Sequence, residues 1–412
     1  ALPICTKKNL LVGQSGGPTA VINGSLYGVV SEGLKKTDEI GHVYGMVNGI
    51  EGFLNDNYMD MKSLEETNEL ELLRTTPGAF LGSCRYKLPE ELDNEVYPTL
   101  FQKFEALDIG YFFYIGGNDS MDTVSKLSRY AEKVDSSIRF IGVPKTIDND
   151  LVETDHTPGF GSAAKYVATT VREIATDASV YDNKKSVTIV EIMGRHAGWL
   201  TAASVLARKF EGDNPVLIYL PEVAFDQDAF VAKVEEALKT TPNLVVCISE
   251  GINDGKGTFI CEFASEVGTD NFGHKMLTGS GKYLENLVKA KLGVKVRSIE
   301  LNVCQRCSCS MLSSVDLNES INAGSYGVHA ALAGETGKMI TFIRHRSQPY
   351  ELSYGTADVN IICNEEKPVP AEWIINEGSD ISAAFVEYAR PLTQGHVELP
   401  TKDGLPLFAY RK

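Results

Sequence analysis

The sequence predicts an α/β protein built from mostly parallel sheets that are covered by helices. Short apolar runs typical of buried strands alternate along the chain with amphipathic segments of helix length. Polar loops follow several of the runs, and ligands bind at the carboxyl ends of strands in such sheets. The 412 residues exceed what one ordinary core accommodates, so two lobes are expected.

The individual elements follow from these patterns in chain order. Strands are predicted over residues 9–12, 111–115, 140–143, 186–191, 215–220 and 244–248. Helices are predicted over residues 20–34, 121–133, 162–178, 229–238 and 282–291. The tail from about Ser347 is less regular and rich in Pro and Glu, so it is expected to be a surface extension packed on the body.

Composition limits the possible classes of partner and compartment. The 43% hydrophobic and 23% charged content is typical of a globular protein, and no apolar run is long enough to cross a bilayer. The N-terminus lacks the pattern of a signal peptide, and eight irregularly spaced cysteines suggest reduced thiols, so a cytoplasmic location is expected. A net charge of −16 argues against nucleic acid as a partner.

The loop at residues 13–19 (GQSGGPT) lies between a predicted strand and a predicted helix. Its glycines, Gly17 among them, allow backbone amides to approach an anion, and the helix N-terminus adds partial positive charge. A turn that only needs small residues explains the loop equally well. The segment also matches G-x-S-x-G of hydrolases, but it follows the first strand, with no earlier loop to supply an oxyanion amide.

A second glycine-rich stretch, residues 76–85, ends at Arg85 and is followed by Tyr86 and Lys87. A basic group after a flexible loop suits a phosphate, although a solvated surface arginine fits the same pattern. Asn118 and Asp119 follow another predicted strand. Their oxygens could hold Mg²⁺, directly or through water, and the same residues could cap the next helix.

The loop at residues 145–150 (KTIDND) has the highest density of functional groups. Asp148 could accept the proton of a hydroxyl that attacks phosphorus, and Lys145 could neutralise charge on the transferring group. An ordinary polar turn is the alternative, but two Asp, one Asn and one Thr within residues 146–150 exceed what a turn needs. Later strand ends carry Arg195 and Glu250, which suit phosphate and sugar hydroxyls. Arg297 and Arg306 are further candidate phosphate binders.

Taken together, these motifs resemble the phosphofructokinase family, in the family's order from Gly13 to Arg306. The resemblance implies two Rossmann-like lobes with the active site in the cleft between them. Residues 1–158, completed by about 305–346, would form the lobe for the donor phosphates. Residues 159–304 would form the lobe for the sugar phosphate, and 347–412 the C-terminal extension. It also implies a homo-oligomer, dimeric or larger.

The resemblance assigns roles by motif position. Asp148 matches the general base for the sugar 1-hydroxyl, and Asn118 matches the metal-site position, with Mg²⁺ as cofactor. Gly17 and Arg85 match positions at the donor phosphates. Arg297 matches an arginine that reaches a neighbouring subunit's site in tetrameric relatives. The sugar-phosphate site would comprise Thr146, Ile147, Asp148, Met193, Gly194, Arg195, Glu250 and Arg306.

Two positions bear on the phosphate donor. ATP-using relatives carry glycine where this chain has Asp119 and Lys145, so the pair resembles the pyrophosphate-dependent branch. A carboxylate at Asp119 would repel the α-phosphate of ATP, and two like charges about 4 Å apart cost about 4 kcal/mol at an effective dielectric near 20. Lys145 would offset the charge of pyrophosphate, which lacks a nucleotide group to bind.

The expected reaction is reversible, Mg²⁺-dependent transfer of a phosphoryl group from pyrophosphate to fructose 6-phosphate. An ATP-dependent kinase is the nearest alternative. A non-catalytic regulatory subunit is another, although the intact Asp148 favours an enzyme. Three positions depart from the family pattern: Asn118 for Asp, Ser186 for an arginine, and Val303 for His or Tyr. The last two leave sedoheptulose 7-phosphate open as an acceptor.

Overall fold

The computed structural model describes residues 7–263 and 279–411. The N-terminal residues considered in the signal-peptide argument lie outside this part of the chain. Within it, no helix combines the length and the apolar character that crossing a membrane would require.

Strands and helices alternate along most of the chain. The strands are β1 (Lys8–Gln14), β2 (Ile40–Met46), β3 (Tyr58–Asp60), β4 (Ile109–Gly116), β5 (Arg139–Pro144), β6 (Ser186–Ile192), β7 (Leu217–Tyr219), β8 (Asn243–Ser249), β9 (Lys295–Glu300), β10 (Lys338–Ser347), β11 (Tyr350–Asp358), β12 (Ile374–Ile375), β13 (Asp380–Ile381), β14 (Thr401–Lys402) and β15 (Leu405–Pro406). The helices are α1 (Ile22–Lys35), α2 (Gly49–Leu54), α3 (Lys62–Glu66), α4 (Leu70–Leu73), α5 (Val96–Ala106), α6 (Asn118–Lys133), α7 (Phe160–Ala178), α8 (Trp199–Ala203), α9 (Gln227–Ala237), α10 (Ser280–Leu292), α11 (Cys304–Cys307), α12 (Ser314–Leu332), α13 (Val359–Ile362) and α14 (Ala383–Ala389).

Two main sheets organise the molecule. The larger has seven strands in the order β11-β10-β5-β4-β1-β2-β3, parallel except at its two edges, where β3 and β11 pair antiparallel. The smaller sheet, β7-β8-β6-β9, is entirely parallel. The predicted fold class, α/β with mostly parallel sheets, is confirmed.

Strand β1, in the interior of the larger sheet, shows why the apolar runs are so clear. Leu10 and Val12 belong to a core cluster that includes residues of α1 and α12, whereas Leu11 belongs to a cluster that includes residues of α5 and α6. Successive side chains point to opposite faces of a strand, and helices cover both faces here. A strand buried on both sides therefore reads as a continuous apolar run.

Helices α1 and α12 pack closely at glycine positions. A Cβ atom built on Gly28 of α1 would lie 2.0 Å from the Ile321 carbonyl oxygen of α12. Because backbone atoms fixed in a helix cannot move aside cheaply, only glycine fits at this crossing.

Replacing Gly28 by alanine should therefore lower the free energy of unfolding by about 1–3 kcal/mol, although alanine is the better helix former. Gly327→Ala in α12 is the matched control, since its Cβ would meet its nearest neighbour, Phe113, at an ordinary 3.5 Å. The control should be neutral or stabilising by up to about 1 kcal/mol. Thermal and denaturant unfolding of both variants tests the contact, and equal stabilities would contradict it.

The tail is more than the surface extension expected from its composition. Its first part forms β11, paired along its length with β10 in the larger sheet. Farther on, Val369 and Phe385 are buried in the core cluster that includes β6 and β8 of the smaller sheet. The tail therefore spans both sheets and contributes residues to their cores.

Candidate active site

Three loops of the larger sheet meet where β1, β4 and β5 end. The amide of Ser15 donates to the Ile115 carbonyl (3.0 Å), and the amide of Lys145 donates to the Gly116 carbonyl (3.0 Å). Parallel strands bring their carboxyl ends to one edge, so the loops containing Gly17, Asn118 and Lys145 are neighbours, as the sequence predicted.

Lys145 is the buried cation of this edge, with 4% of its surface exposed. Its Nζ donates to the Gly17 carbonyl at 2.6 Å. Burial lowers the pKa of Lys145 to about 8, against the opposing effect of the Asp148 and Asp150 carboxylates. The ammonium is therefore close to both the glycine-rich loop and the acidic loop.

Asp148 is half-buried in the loop that leaves β5, and its amide donates to Thr146 Oγ1 at 3.0 Å. Burial raises the pKa of Asp148 well above its usual range, and the Asp150 and Glu250 carboxylates raise it further. Lys145 and Arg195 act in the opposite direction. A carboxyl group with a raised pKa and flanking cations is typical of a group that exchanges protons.

The smaller sheet supplies the groups that face this loop. The Glu250 amide donates to the Ile192 carbonyl (2.8 Å), and Glu250 Oε1 accepts from the Gly194 amide (3.2 Å). The Met193 amide donates to the side chain of Gln305 at 3.2 Å. Burial raises the pKa of Glu250, whereas Arg195 and Arg306 lower it. The predicted residues at the ends of β6 and β8 thus lie together.

Arg306 connects the two halves of the site. A Cβ atom on Gly17 would lie 3.0 Å from Arg306 Nη1, so a side chain there would crowd the guanidinium. Arg195 has a buried Nε for which the described residues offer no hydrogen-bond acceptor. A guanidinium nitrogen without a protein acceptor is chemically suited to an anionic ligand.

The loop carrying Arg85 is held by a residue that the sequence did not reveal. Lys126 of α6 is 1% exposed and donates to the Leu88 carbonyl (3.1 Å) and to carboxylates of Glu90 (2.5 Å) and Asp122 (2.6 Å). A lysine on a charged amphipathic helix normally indicates a solvated face, so no local signal marks this role.

Asp119 lies in the first turn of α6 and is exposed. Its side chain is 53% exposed and lies 3.6 Å from the Lys87 ammonium. Water and Lys87 both weaken its field, so its repulsion of a nearby phosphate falls from about 4 towards about 1 kcal/mol at a separation of about 4 Å.

Asn118 is the predicted metal contact, and its environment fits that role. Its Oδ1 atom is buried and has no hydrogen-bond partner among the described residues. No group of three or more His, Cys, Asp or Glu side chains suited to a metal occurs in the described ranges. A hard cation here would therefore take most ligands from water and from substrate phosphate oxygens, as Mg²⁺ commonly does.

The side chains of three further residues considered in the sequence analysis lie away from these contacts. Arg297 is exposed on the edge strand β9 and makes none of the contacts described above. The Ile147 side chain is buried in the core cluster that includes β6 and β8, so it anchors the loop. Ser15, the nucleophile of the hydrolase alternative, has its hydroxyl 3.5 Å from the Cys84 carbonyl. No histidine hydrogen bond to Ser15 occurs in the described part of the chain, which disfavours a hydrolase.

Comparison with known proteins agrees with this geometry. The family model described as "Phosphofructokinase" matches residues 9–331. A pyrophosphate--fructose 6-phosphate 1-phosphotransferase from Halomonas elongata is 40% identical, covering 97% of this chain and 95% of its own. A sulfofructose kinase from Alkalicoccus urumqiensis is 33% identical, covering 88% of this chain and 93% of its own.

A solved structure shows the same likeness. The crystal structure of a pyrophosphate-dependent phosphofructokinase from Marinobacter aquaeolei superposes with a TM-score of 0.88 at 39% identity, covering 98% of this chain and 95% of the other. The fold, the converging strand-end loops and these matches lead to one conclusion: this chain belongs to the phosphofructokinase family.

Proposed function

We propose that this chain transfers a phosphoryl group from pyrophosphate to the 1-hydroxyl of fructose 6-phosphate, giving fructose 1,6-bisphosphate and phosphate. The observation that carries the proposal is the electrostatic surroundings of Asp148, whose carboxyl group interacts with Lys145, Arg195 and Glu250. A base, a cation and sugar-phosphate ligands at one cleft are the components that phosphoryl transfer requires.

In this mechanism Asp148 accepts the proton of the sugar 1-hydroxyl while the oxygen of that hydroxyl attacks a phosphorus of pyrophosphate, and phosphate leaves. Lys145 balances charge on the transferring group from its position beside Gly17. Arg195 and Arg306 bind the 6-phosphate, while Glu250 accepts from sugar hydroxyls. Thr146, Met193 and Gly194 complete this site through their loop positions, and Gly17 with Arg85 contacts the donor.

Asn118 would hold the metal through its unpartnered Oδ1. When bound, Mg²⁺ supplies charge that neutralises pyrophosphate oxygens. A pyrophosphate bond and a sugar phosphate ester differ little in energy, so the reaction is expected to run in both directions.

We propose that each of the two lobes binds one of the two substrates. Residues 1–158 with about 305–346 would bind the donor, and residues 159–304 would bind the sugar phosphate. We also propose a cytoplasmic homo-oligomer in which Arg297, exposed on the edge strand β9, serves a neighbouring subunit's site.

Donor preference tests the proposal. Purified chain, fructose 6-phosphate and Mg²⁺ are combined with either pyrophosphate or ATP, and fructose 1,6-bisphosphate formation is followed. We expect turnover with pyrophosphate, and with added phosphate the reverse reaction from fructose 1,6-bisphosphate. Robust turnover with ATP and none with pyrophosphate would contradict the donor, and activity with neither would favour a non-catalytic subunit.

The acceptor has a second candidate because Ser186 and Val303 depart from the family pattern. Val303 is 47% exposed and cannot donate a hydrogen bond to a phosphate as His or Tyr would. Comparing kcat/KM for fructose 6-phosphate and sedoheptulose 7-phosphate at saturating pyrophosphate decides between them.

A further inference from the structure

We infer that Tyr388, in the C-terminal tail, is a positioning residue that holds the loop carrying Asp148 in its reactive conformation. The inference rests on the proposed role of Asp148 as the base. Tyr388 lies on α14, far from the loop in sequence, and reaches it through Asn149, the residue that follows Asp148.

Asn149 needs support because of its backbone conformation. It is fully buried and has a φ of 55°, in the left-handed region that non-glycine residues rarely adopt. Its Oδ1 accepts from the Thr157 amide (3.0 Å), and its Nδ2 donates to the Tyr388 hydroxyl oxygen (2.8 Å). The Asn149 side chain therefore connects the turn to a later loop on one side and to the tail on the other.

Tyr388 is itself fixed on several sides. Its hydroxyl donates to the Asp155 carbonyl at 2.7 Å. The Arg344 guanidinium lies 4.6 Å from the ring centroid and donates to the Tyr388 carbonyl (2.8 Å) and to the Asp155 carboxylate (2.9 Å). The Tyr388 hydroxyl therefore both donates and accepts a hydrogen bond. A shift of the ring would break its contact with the Arg344 guanidinium.

A buried charge cluster supports this arrangement. His156, 1% exposed, bonds to Asp155 Oδ2 (2.7 Å) and Glu319 Oε2 (2.6 Å), and Tyr350 donates to Glu319 (2.5 Å). Burial lowers the pKa of His156, but the two carboxylates raise it by more. The carboxylates of Asp155 and Glu319 offset the positive charges of His156 and Arg344. The network is rigid because each of these side chains has a hydrogen-bond partner.

The tail contacts the loop at a second point next to Asp148. The Lys367 amide donates to the Asp150 carbonyl (2.7 Å), and its Nζ donates to the carbonyls of Thr154 (2.8 Å) and Asp155 (2.9 Å). Asn149 and Asp150, the two residues that follow Asp148, are thus both held by tail residues.

Tyr388→Phe tests the inference because it keeps the ring contacts and removes only the hydroxyl. We expect kcat with pyrophosphate and fructose 6-phosphate to fall about 10- to 100-fold, since small misplacements of a reacting group cost that much. KM values should change by less than about 3-fold, because the arginines proposed to bind phosphate, Arg195 and Arg306, lie outside this loop. Hydrogen exchange of the amides between residues 146 and 157 should become faster.

Tyr354→Phe is the matched control. In the described part of the chain its hydroxyl accepts from Asn322 and its ring packs on Phe342 and Tyr326, none of which belongs to the loop. The control should keep both kcat and the exchange rates of the parent. Asn149→Gly permits the positive φ without the side chain, and should lower kcat at least as much as Tyr388→Phe, because it also removes the bond to the Thr157 amide. Adding Tyr388→Phe to Asn149→Gly should cause little further loss, because the contact between the two side chains is already absent.

The outcomes separate this inference from the proposed function. A parent chain that turns over neither pyrophosphate nor ATP refutes the function. An active parent with Tyr388→Phe within about 2-fold of its kcat refutes the positioning role, whatever the exchange rates. If Tyr388→Phe does not fold, Asn149→Gly decides: full activity overturns the inference, and loss of kcat at constant KM supports it.

Discussion

Replacing Asp148 by asparagine should reduce kcat about 10²- to 10⁴-fold, the usual contribution of a general base. Asparagine has nearly the same shape, so the loop bonds through the Asp148 amide should persist. The stability should not fall, because a buried carboxylate is replaced by a neutral group. Steady-state assays with pyrophosphate, together with thermal unfolding, measure both effects.

The pH dependence gives the prediction a second readout. Burial raises the pKa of Asp148, and the reaction needs its ionised form, so kcat/KM should rise with pH through that raised pKa. Lys145 must stay protonated, and its pKa of about 8 should produce the alkaline limb. Because the two groups interact, the two limbs report the pair.

Asp150→Asn is the matched control. The Asp150 carboxylate raises the pKa of Asp148, so removing its charge should move the acid limb of kcat/KM to lower pH and leave an active enzyme. Asp148→Asn should abolish that limb. Retention of more than about a tenth of the parent kcat in Asp148→Asn would contradict the base assignment.

The second large effect is expected from Asp119→Gly combined with Lys145→Gly. The double change removes the carboxylate that would repel a nucleotide phosphate and the ammonium that balances pyrophosphate. The ratio of kcat/KM for ATP to that for pyrophosphate should rise about 10²-fold or more. Most of the change should come from Lys145, because it is buried whereas Asp119 is exposed and 3.6 Å from Lys87.

Single variants separate charge from size. Asp119→Asn removes the charge and keeps the volume, so if repulsion governs the donor choice it should gain ATP use like Asp119→Gly. If only Asp119→Gly gains ATP use, steric exclusion is responsible. An unchanged donor ratio in the double variant would refute the role of both positions.

Much of the fold could be predicted because its central strands are buried on both faces. The structure extends β4 from residues 111–115 to Ile109–Gly116, and the other predicted strands and helices are likewise present with shifted ends. Strand β9 and strand β11 were missed because they lie at sheet edges and carry polar residues. Helix α12 was missed because small and polar residues, including Gly324, make its close contact with α1.

Only those site residues that directly follow a buried strand could be predicted from the sequence. Lys145, Asp148 and Glu250 all follow buried strands, and parallel sheets bring such positions together. Lys126 and Tyr388 act on loops far away in the chain, and nothing local distinguishes them from a solvated lysine and a packed tyrosine. Contacts of that kind depend on tertiary packing.

The tail has a mechanical consequence, because the backbone up to the end of α14 passes between the larger and the smaller sheet three times. The segments after β5 and after β9 are two of these passages and carry Asp148 and Arg306; the segment after β11 is the third. The first and third are joined by the Lys367–Asp150 hydrogen bond. A hydrogen bond between two such passages restrains relative movement of the two sheets at the loop that carries the base.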